Sequence, residues 1–437
     1  MVRPCSKEGG MTVAVRIPVL TAPEIHYLEA CIGCAACAPS CPYFYVSEEY
    51  SPVDKAEAAR RILRTKYTFA GRILGPLVGA KRPSEKDLDR LLDIAYRCTG
   101  CGSCYETCTV GIYSGGLVFR LREMLTSVNR APALLQKLSE VEASGGYYEA
   151  LKEKLQKLVN EAGRLGVKVG AKAEVLLMVT GADLLVGFET VVNALKVLRR
   201  LGVDVAIPER PLGIRPPVGY LIGDTSSTRK VLEDIVGYIE RIAPKTVALL
   251  DGSHVYKYLR FEASAILGKK PSFEVKHIVE LLYDYAKAGV LKLGKVEEKV
   301  TWHDPCYLSR WGGVREEPRA LLVSAAELVE APKRYGEVSC TGGGGGVAML
   351  HGKQFEIYNS ITGVDPSQQG EFLRKLNTDF EKAVSRRINE LKVTGAKTVV
   401  TACWDCIYSI NTGAQLGGVE LRAVHIVDFI AKALGIS

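Results

Sequence analysis

The chain lacks the hydrophobic segments that carry proteins into or across a membrane. Its 437 residues contain no run of 18 or more apolar residues, the length at which a membrane-spanning helix is expected. Its first residues, MVRPCSKEGGMTV, have neither an apolar core nor a cleavage pattern, so they predict no signal peptide. We therefore expect a cytoplasmic protein, in a compartment where cysteine side chains stay reduced.

Signals for nucleic acids and nucleotides are also missing. The formal net charge is +8, from 57 Lys and Arg against 49 Asp and Glu, but no five basic residues are consecutive, so the excess indicates a solvated surface. No Gly-x-Gly-x-x-Gly lies between a strand and a helix, and the glycine run 342–346 lacks the Lys-Ser/Thr of a phosphate loop. The sequence therefore predicts no nucleic-acid partner and requires no flavin on this chain.

Cysteine, by contrast, is abundant, with 13 residues. A chain of this length buries enough apolar surface to fold without disulfide bonds. In a reducing compartment, clustered cysteines are more often metal ligands than disulfides. All but one of them fall into three groups of four, which leaves Cys5 as a spectator.

Two cysteine quartets near the N-terminus share the spacing C-x₂-C-x₂-C-x₃-C. Three cysteines two residues apart lie on one tight loop and reach three irons of a four-iron cube, while the fourth leaves on a helix and reaches the neighbouring cube. Zinc sites more often use separated pairs. The spacing predicts two [4Fe–4S] clusters, the first bound by Cys31, Cys34, Cys37 and Cys108 and the second by Cys98, Cys101, Cys104 and Cys41.

Hydrophobic periodicity indicates how the rest of the chain is organised. Between the quartets, apolar residues at helical spacing predict two helices separated at Gly75 and Pro76, with Asp54 and Ser84 as N-caps. From about residue 172, short apolar strands alternate with helices, twice over, which is typical of parallel α/β layers. We therefore predict an α+β fold with an N-terminal extension (1–20), a helical two-cluster ferredoxin-type domain (21–112), a helical connector (113–171) and two α/β domains (172–290 and 291–437).

The remaining four cysteines lie in three segments that each read as a strand followed by a helix. These segments are TWHDPCYLSR, VSCTGGGGG and TACWDC, which contain Cys306, Cys340, Cys403 and Cys406. Asp304 can cap a helix that Pro305 begins, which places the first of these thiols at a helix N-terminus, where a thiolate is stabilised. Because such turns meet at the carboxyl ends of parallel strands, we expect the four thiolates to converge.

This third group leaves three interpretations open, which are an iron–sulfur cluster, a structural zinc ion and a redox-active thiol site. His303 either orients Cys306, donates protons near it, or has only a structural role. The glycine run 342–346 predicts close approach of the backbone to the cluster or to a bound thiol. Arg310 and Trp311 are candidates for the residues that line the opening.

These residues resemble a known family. HDPCYLSR, a Cys-x-Gly followed by glycines, and CxxC are similar to the cysteine-rich "CCG" domain of heterodisulfide reductase, of a sulfite-reduction-associated membrane complex, and of the iron–sulfur subunits of glycolate, lactate and glycerol-3-phosphate dehydrogenases. A ferredoxin domain before two such domains looks most like the D-type subunit of heterodisulfide reductase. The resemblance implies an unusual [4Fe–4S] centre that reduces disulfides, with these catalytic residues: Cys306, Cys340, Cys403, Cys406 and His303.

The chain departs from the family's pattern in three places. The paired cysteines before the glycine become Cys340 and Thr341, so four ligands, enough for one ordinary cube, stand in place of five. The gap between Cys340 and Cys403 is longer than usual and predicts a polar insertion near 351–370, which is either a solvated segment or a loop for a partner or substrate. The first α/β domain lacks the family's cysteines, so we expect a degenerate scaffold without a cluster, in which His254 is a core or surface residue.

Three functional hypotheses follow. In the first, electrons pass through the two cubes to the third centre, which reduces a disulfide or trisulfide. In the second, the third centre is saturated, and the chain is a relay for a quinone-linked or flavin-dependent dehydrogenase. In the third, the C-terminal half is a zinc-stapled interaction module. The resemblance implies partner subunits of a redox complex, such as a haem b membrane subunit or a flavin subunit, that hold the protein at the cytoplasmic face of a membrane.

Overall fold

A computed structural model describes residues 12–436 of the chain, so Cys5 lies outside the described residues. The described segment 12–20 is an extended lead-in, tied to the helical part by the hydrogen bond from Val13 N to the Pro83 carbonyl. The first α-helices are α1 (Ala22–Glu29), α2 (Pro52–Tyr67), α3 (Phe69–Leu74), α4 (Glu85–Tyr96), α5 (Ser103–Thr107), α6 (Ser114–Thr126), α7 (Ala133–Ser144) and α8 (Tyr148–Arg164). Short 3₁₀ turns accompany them at Ala38–Ser40, Pro42–Tyr45, Glu48–Tyr50 and Gly75–Val78.

The following part alternates strands and helices. The strands are β1 (Lys168–Val169), β2 (Val175–Leu177), β3 (Val205–Ile207), β4 (Thr246–Leu249) and β5 (Glu274–His277). The helices between and after them are α9 (Gly181–Val186), α10 (Phe188–Arg200), α11 (Val218–Ile222), α12 (Thr225–Ile242), α13 (His254–Lys257), α14 (Ala263–Leu267) and α15 (Ile278–Lys287), with a π turn at Tyr258–Glu262.

The last part repeats this alternation. Its strands are β6 (Lys299–Trp302), β7 (Glu327–Leu328), β8 (Thr398–Thr401) and β9 (Arg422–His425). Its helices are α16 (Glu317–Ala325), α17 (Gly352–Thr362), α18 (Gly370–Lys392), α19 (Trp404–Leu416) and α20 (Ile426–Ala433). A π turn lies at Tyr307–Trp311, and 3₁₀ turns lie at Tyr335–Glu337, Ala348–Leu350 and Pro366–Gln369.

Local sequence explains the helices around the two quartets. The prediction that Asp54 caps α2 is wrong, because Pro52 begins the helix and the Ser51 hydroxyl accepts the Asp54 N–H at 3.1 Å. Ser84 caps α4 as predicted, with its hydroxyl 2.7 Å from the Asp87 carboxylate. Helix α6 packs against both α2 and α4, so the helical part continues past the second quartet. None of the described helices combines the length and apolar character needed to cross a bilayer.

Two parallel sheets confirm the predicted α/β layers. The strand order is β1-β3-β2-β4-β5 in the first sheet and β7-β6-β8-β9 in the second, and every pairing is parallel. The central strands β2, β3 and β4 are buried throughout, as expected when helices cover both faces of a sheet. The fold is therefore α+β, whereas the exact domain boundaries stay a prediction.

The two α/β parts share a local repeat that joins them. VKHIVELL at β5–α15 and AVHIVDFI at β9–α20 each place a histidine as the N-cap of a helix, with its Nδ1 accepting a backbone N–H at 3.2 Å. The Nε2 atoms of His277 and His425 both lie 2.9 Å from the Leu250 carbonyl oxygen. The carboxyl ends of β4 and β8 therefore face one another across this pair.

One expectation about the C-terminal part is wrong, and another is confirmed only in part. Cys340 does not follow a strand but lies in an irregular loop that runs from the turn at Tyr335–Glu337 towards the glycine run. Residues 351–370 are mostly exposed or half-buried, as predicted for a solvated segment, but they include helix α17, which packs against α7. The Gln369 amide fixes its end by accepting the Ala133 N–H at 2.7 Å and donating to the Ala131 carbonyl at 3.0 Å.

Candidate metal centres

The first quartet lies at the surface. Positive φ angles at Gly33 (73°) and Ala35 (58°) wrap its loop into a tight turn. Burial, together with the neighbouring thiols of the predicted group, raises the pKa of Cys37 to about 11. These neighbours are Cys108, Cys31 and Cys34. The fold therefore brings together the four residues predicted for cluster one, with Cys34 exposed to solvent.

A cavity in the helical part marks the predicted site of cluster two. Its four predicted ligands line that cavity together, and they are Cys41, Cys98, Cys101 and Cys104. Burial raises the pKa of the Cys98 and Cys104 thiols, and the proximity of the other thiols adds to the effect. Positive φ angles at Gly100 (70°) and Gly102 (79°) let this loop wrap around the cavity.

A buried lysine lies against the ligands predicted for cluster two. Lys55 on α2 is 2% exposed, and its Nζ donates to the Cys41 Sγ at 3.2 Å and to the Arg97 carbonyl at 2.7 Å. Burial acts to lower the pKa of Lys55, but the nearby sulfurs of Cys41 and Cys98 raise it above its usual value. No sequence signal pointed to this residue, because a single lysine on an amphipathic helix carries no motif.

The four C-terminal cysteines also come together. Cys403 is the N-cap of α19, and Cys406, in the first turn of that helix, shares a thiol–thiol hydrogen bond with it. Burial raises the pKa of the Cys306 thiol, and Cys403 lies close enough to raise it further. Cys340, Cys403 and Cys406 are 5–6% exposed, whereas Cys306 is half-buried. Three separate loops therefore supply one group of four thiols.

The second and third groups are in direct contact. The Cys340 thiol lies beside the Cys101 sulfur, and this proximity raises the pKa of Cys340 and lowers that of Cys101. The Thr99 hydroxyl lies 3.4 Å from the same Cys340 Sγ. A residue between the first two cysteines of the second quartet therefore contacts the third group as well, a contact that no sequence spacing indicated.

The glycine run explains how the two loops approach so closely. A Cβ on Gly345 would lie 2.8 Å from the Cys98 carbonyl oxygen and 3.1 Å from the Thr99 Cα, so only glycine fits there. Arg122, fully buried on α6, donates to the carbonyls of Cys98 and Gly345, both at 2.7 Å. The backbone of the glycine run therefore approaches the loop of the second quartet closely.

His303 is held by an arginine, which is compatible with the structural role considered for it, whereas Asp304 is not the predicted helix cap. The buried His303 accepts the Arg387 Nε–H on its Nδ1 at 3.1 Å, and burial lowers its pKa. The Asp304 carboxylate accepts from the Trp302 Nε1–H at 3.0 Å and from Arg319 at 2.8 Å, so it caps no helix. Cys306 accordingly begins a single π turn in place of the predicted α-helix.

Arg310 and Trp311 tie the π turn to the second quartet. The Arg310 guanidinium donates to the carbonyls of Gly336 at 2.8 Å and Cys101 at 3.1 Å, so its positive charge is fixed between the two thiol groups. The Trp311 ring lies against Gly102, where a Cβ would come within 3.2 Å of it. Both residues therefore build the contact between the groups.

The donor sets fit iron–sulfur clusters. Each group presents four cysteine sulfurs, the ligands preferred by [4Fe–4S] clusters. Burial raises the pKa of several of these thiols, such as Cys37, Cys104 and Cys306, so the protein alone does not favour their thiolates. Iron supplies the positive charge that deprotonates such thiols. Among residues 12–436, no three His, Cys, Asp or Glu side chains lie close enough to share a single metal ion. A cube of four irons holds its cysteines farther apart than one ion does.

Comparisons with known proteins support iron–sulfur clusters in this chain. Residues 27–112 match a family described as a 4Fe-4S dicluster domain, and residues 300–360 match a cysteine-rich domain. The D-type subunit of the heterodisulfide reductase of Methanosarcina barkeri is 25% identical over 434 residues, which is 96% of this chain and 97% of its own. The chain is an iron–sulfur protein similar to the D-type subunit of heterodisulfide reductase. This similarity supports an iron–sulfur electron-transfer subunit of an oxidoreductase.

Other relatives belong to different redox complexes. The B-type subunit of the CoM/CoB fumarate reductase of Methanothermobacter marburgensis is 27% identical over 93% of this chain and 72% of its own. The Hdr-like menaquinol oxidoreductase iron–sulfur subunit 2 of Archaeoglobus fulgidus is 24% identical over 74% of this chain and 68% of its own. These relatives are all named as subunits, which supports a role beside other redox subunits.

Proposed function

We propose that the chain is the iron–sulfur subunit of a heterodisulfide-reductase-like complex, in which electrons pass between a surface cluster and a buried third centre. The ligands of cluster one are Cys31, Cys34, Cys37 and Cys108. Those of cluster two are Cys98, Cys101, Cys104 and Cys41, and those of the third centre are Cys306, Cys340, Cys403 and Cys406. The contact of Cys340 with the loop of the second quartet carries this proposal, since its Sγ lies 3.4 Å from the Thr99 hydroxyl and beside the Cys101 sulfur. Ligands in contact bring two clusters close together, so no further carrier is needed between them.

The surface end of this path is cluster one. Cys34 is exposed, and the adjacent Ile32 is 81% exposed, an unusual position for a large apolar side chain in the absence of a partner. Tyr105 and Val110, which flank the last ligand of this cluster, are each 44% exposed. This apolar rim is suited to a partner subunit that gives or takes electrons, such as a haem b membrane subunit or a flavin subunit.

The path is tested by EPR spectroscopy of the reduced protein. If cluster two and the third centre are in contact, their reduced signals should be broadened by magnetic interaction. Replacement of Cys340 by Ser should remove the third signal, sharpen that of cluster two, and leave cluster one unchanged. A third signal that persists in this variant, or a wild-type spectrum without interaction, would contradict the proposal.

A second candidate function is reduction of an S–S bond at the third centre. The similarity to the D-type subunit of heterodisulfide reductase along nearly the whole chain favours it, as does the half-buried Cys306 beside the fixed charge of Arg310. The reaction would cleave R–S–S–R′ with two electrons and two protons to give two thiols. The electrons would arrive singly through the clusters. In the alternative, four thiolates saturate an ordinary cube, and the chain is a relay only.

Thr341 separates these two candidates. Its side chain is 2% exposed and follows Cys340 directly, where the family has a second cysteine. In a reductase, a thiol substrate should change the EPR signal of the third centre, and Thr341→Cys should change that signal further. If thiols do not change the EPR signal of the third centre, and the isolated complex has no S–S reductase activity, the chain acts only as a relay.

A further inference from the structure

The segment between α2 and α4 exposes a concentrated apolar surface. Helix α3 and the 3₁₀ turn that follows it form an apolar tip, defined here as residues 69–78. Five of its large apolar side chains are 37–87% exposed, and these are Phe69, Ile73, Leu74, Leu77 and Val78. A second group of exposed apolar residues forms the rim of cluster one, and the other exposed large apolar residues of the described chain are scattered, which is normal for a soluble surface.

The apolar tip is held firmly against the end of α2. The Thr68 hydroxyl accepts the Gly71 N–H at 3.0 Å and caps α3. The Arg72 Nε donates to the Lys66 carbonyl at 2.8 Å. Gly71 is buried against the Arg64 carbonyl, where a side chain would clash. The tip is therefore a fixed projection that presents its apolar side chains outwards.

The sequence around the tip contributes only basic charges. Residues 61–82 contain no Asp or Glu and six basic residues, which are Arg61, Arg64, Lys66, Arg72, Lys81 and Arg82. Three of these pair with carboxylates outside that segment, Arg61 with Glu57 on the same helix, Arg64 with Glu29 on α1, and Lys81 with Asp87 on α4. For Lys66, Arg72 and Arg82, no carboxylate of the described residues lies within ion-pair distance. These three cations, here called the collar, flank the apolar tip in the sequence.

We infer that the apolar tip inserts into the interface of an anionic lipid bilayer, with the collar cations on the lipid headgroups. Apolar side chains beside Lys and Arg are the pattern of interfacial membrane binding, in which hydrophobic burial and attraction to anionic headgroups add together. Helix α3 has six residues, so the tip enters the interface without spanning the membrane. The binding is direct and needs no partner subunit.

Co-sedimentation of the full-length, cluster-loaded protein with vesicles tests this inference. The probes are phosphatidylcholine vesicles with and without phosphatidylglycerol. We expect binding to the anionic vesicles that weakens with added salt. Phe69→Ser with Leu77→Ser should weaken that binding at least about tenfold. Arg72→Gln with Arg82→Gln should weaken it roughly 20-fold, and on anionic vesicles only.

A matched control replaces exposed apolar residues elsewhere. Val323 and Val393 are 57% and 69% exposed, and Val323→Ser with Val393→Ser should leave vesicle binding unchanged. All the variants should keep the wild-type iron content, because the replaced side chains lie at the surface. Wild-type protein that does not bind anionic vesicles would overturn the inference. The inference would also be overturned if the double variant Phe69→Ser with Leu77→Ser bound vesicles as wild type does. The same holds if the only change in that variant were the loss of a co-purifying protein partner.

Discussion

At the scale of single residues, Lys55 is a buried positive charge in contact with a predicted ligand of cluster two. Its ammonium group is buried and donates to the Cys41 sulfur. The reduction potential of an iron–sulfur cluster depends on nearby charge and on hydrogen bonds to its sulfurs. A reduced cluster carries one more negative charge than an oxidised one, so a fixed cation favours the reduced form.

We predict that Lys55→Met lowers the reduction potential of cluster two by on the order of 60 mV or more, a tenfold change in the one-electron equilibrium. The reason is the loss of a charge-assisted hydrogen bond whose worth is about 1.5–3 kcal/mol. Redox titration followed by EPR measures this shift. Lys66→Met, on the exposed end of the same helix, is the control. An equal shift in both variants would show that the contact with Cys41 has no special effect.

Residue-level reasoning from the sequence was strongest where chemistry demands one residue type. The spacing of the cysteines predicted which of them meet, including the exchange of Cys41 and Cys108 between quartets, and the structure brings these groups together. Lys55 and Arg122 were missed, because a buried cation has the same local sequence pattern as an exposed one. Their roles depend on carbonyls and sulfurs that are distant in sequence.

At the scale of elements, the paired histidine N-caps are the feature that joins the two α/β parts. His277 is fully buried, and burial lowers its pKa to about 3. An unfolded histidine has a pKa near 6.5, so the unfolded chain binds a proton that the folded chain excludes. The stabilisation from neutral His277 is therefore complete above about pH 6.5 and is lost as the pH falls towards 3.

We predict that His277→Asn makes the protein less sensitive to acid. Asparagine keeps an N-cap acceptor for α15 but cannot bind the proton, so the roughly 2 kcal/mol that wild type loses through this residue between pH 6.5 and 5 should be absent. Urea unfolding under anaerobic conditions at several pH values measures the difference. The exposed His26, replaced by Asn, is the control. An acid dependence identical to that of wild type would refute the prediction.

Element-level predictions succeeded where local signals agree and failed where tertiary contacts decide. The alternation of strands and helices predicted both parallel sheets, and Ser84 was predicted correctly as a cap. Residues 351–370 are mostly exposed or half-buried, as their polarity predicts, but the packing of α17 against α7 has no local signature in the sequence. The turn after Cys306 is π-helical. The Asp304 carboxylate is bonded to Arg319 and is therefore not available to cap an α-helix there.

At the scale of the whole molecule, buried arginines join the parts that hold the three centres. Arg122 links the helical part to the glycine run. Arg215, whose side chain is 2% exposed, pairs with Asp251 at 3.0 Å and with Asp405 next to Cys406. Its removal would leave two buried carboxylates without a counter-charge, which is costly in a protein interior.

We predict that Arg215→Met lowers the free energy of unfolding by about 3–5 kcal/mol. Arg210→Met is the matched control, because Arg210 pairs with the half-exposed Asp234 and such pairs contribute about 1 kcal/mol or less. Chemical denaturation of both variants, loaded with iron, compares them. Equal losses would contradict the importance of the buried pairs.

The central claim is that one chain holds three iron–sulfur centres, the third adjacent to the second. Metal analysis of anaerobically purified protein tests it most directly, together with the same analysis of the Cys340→Ser variant. We predict about 12 iron atoms per chain in the wild type and about 8 in the variant, with no zinc in either. About 8 iron atoms and one zinc ion per wild-type chain would contradict the claim.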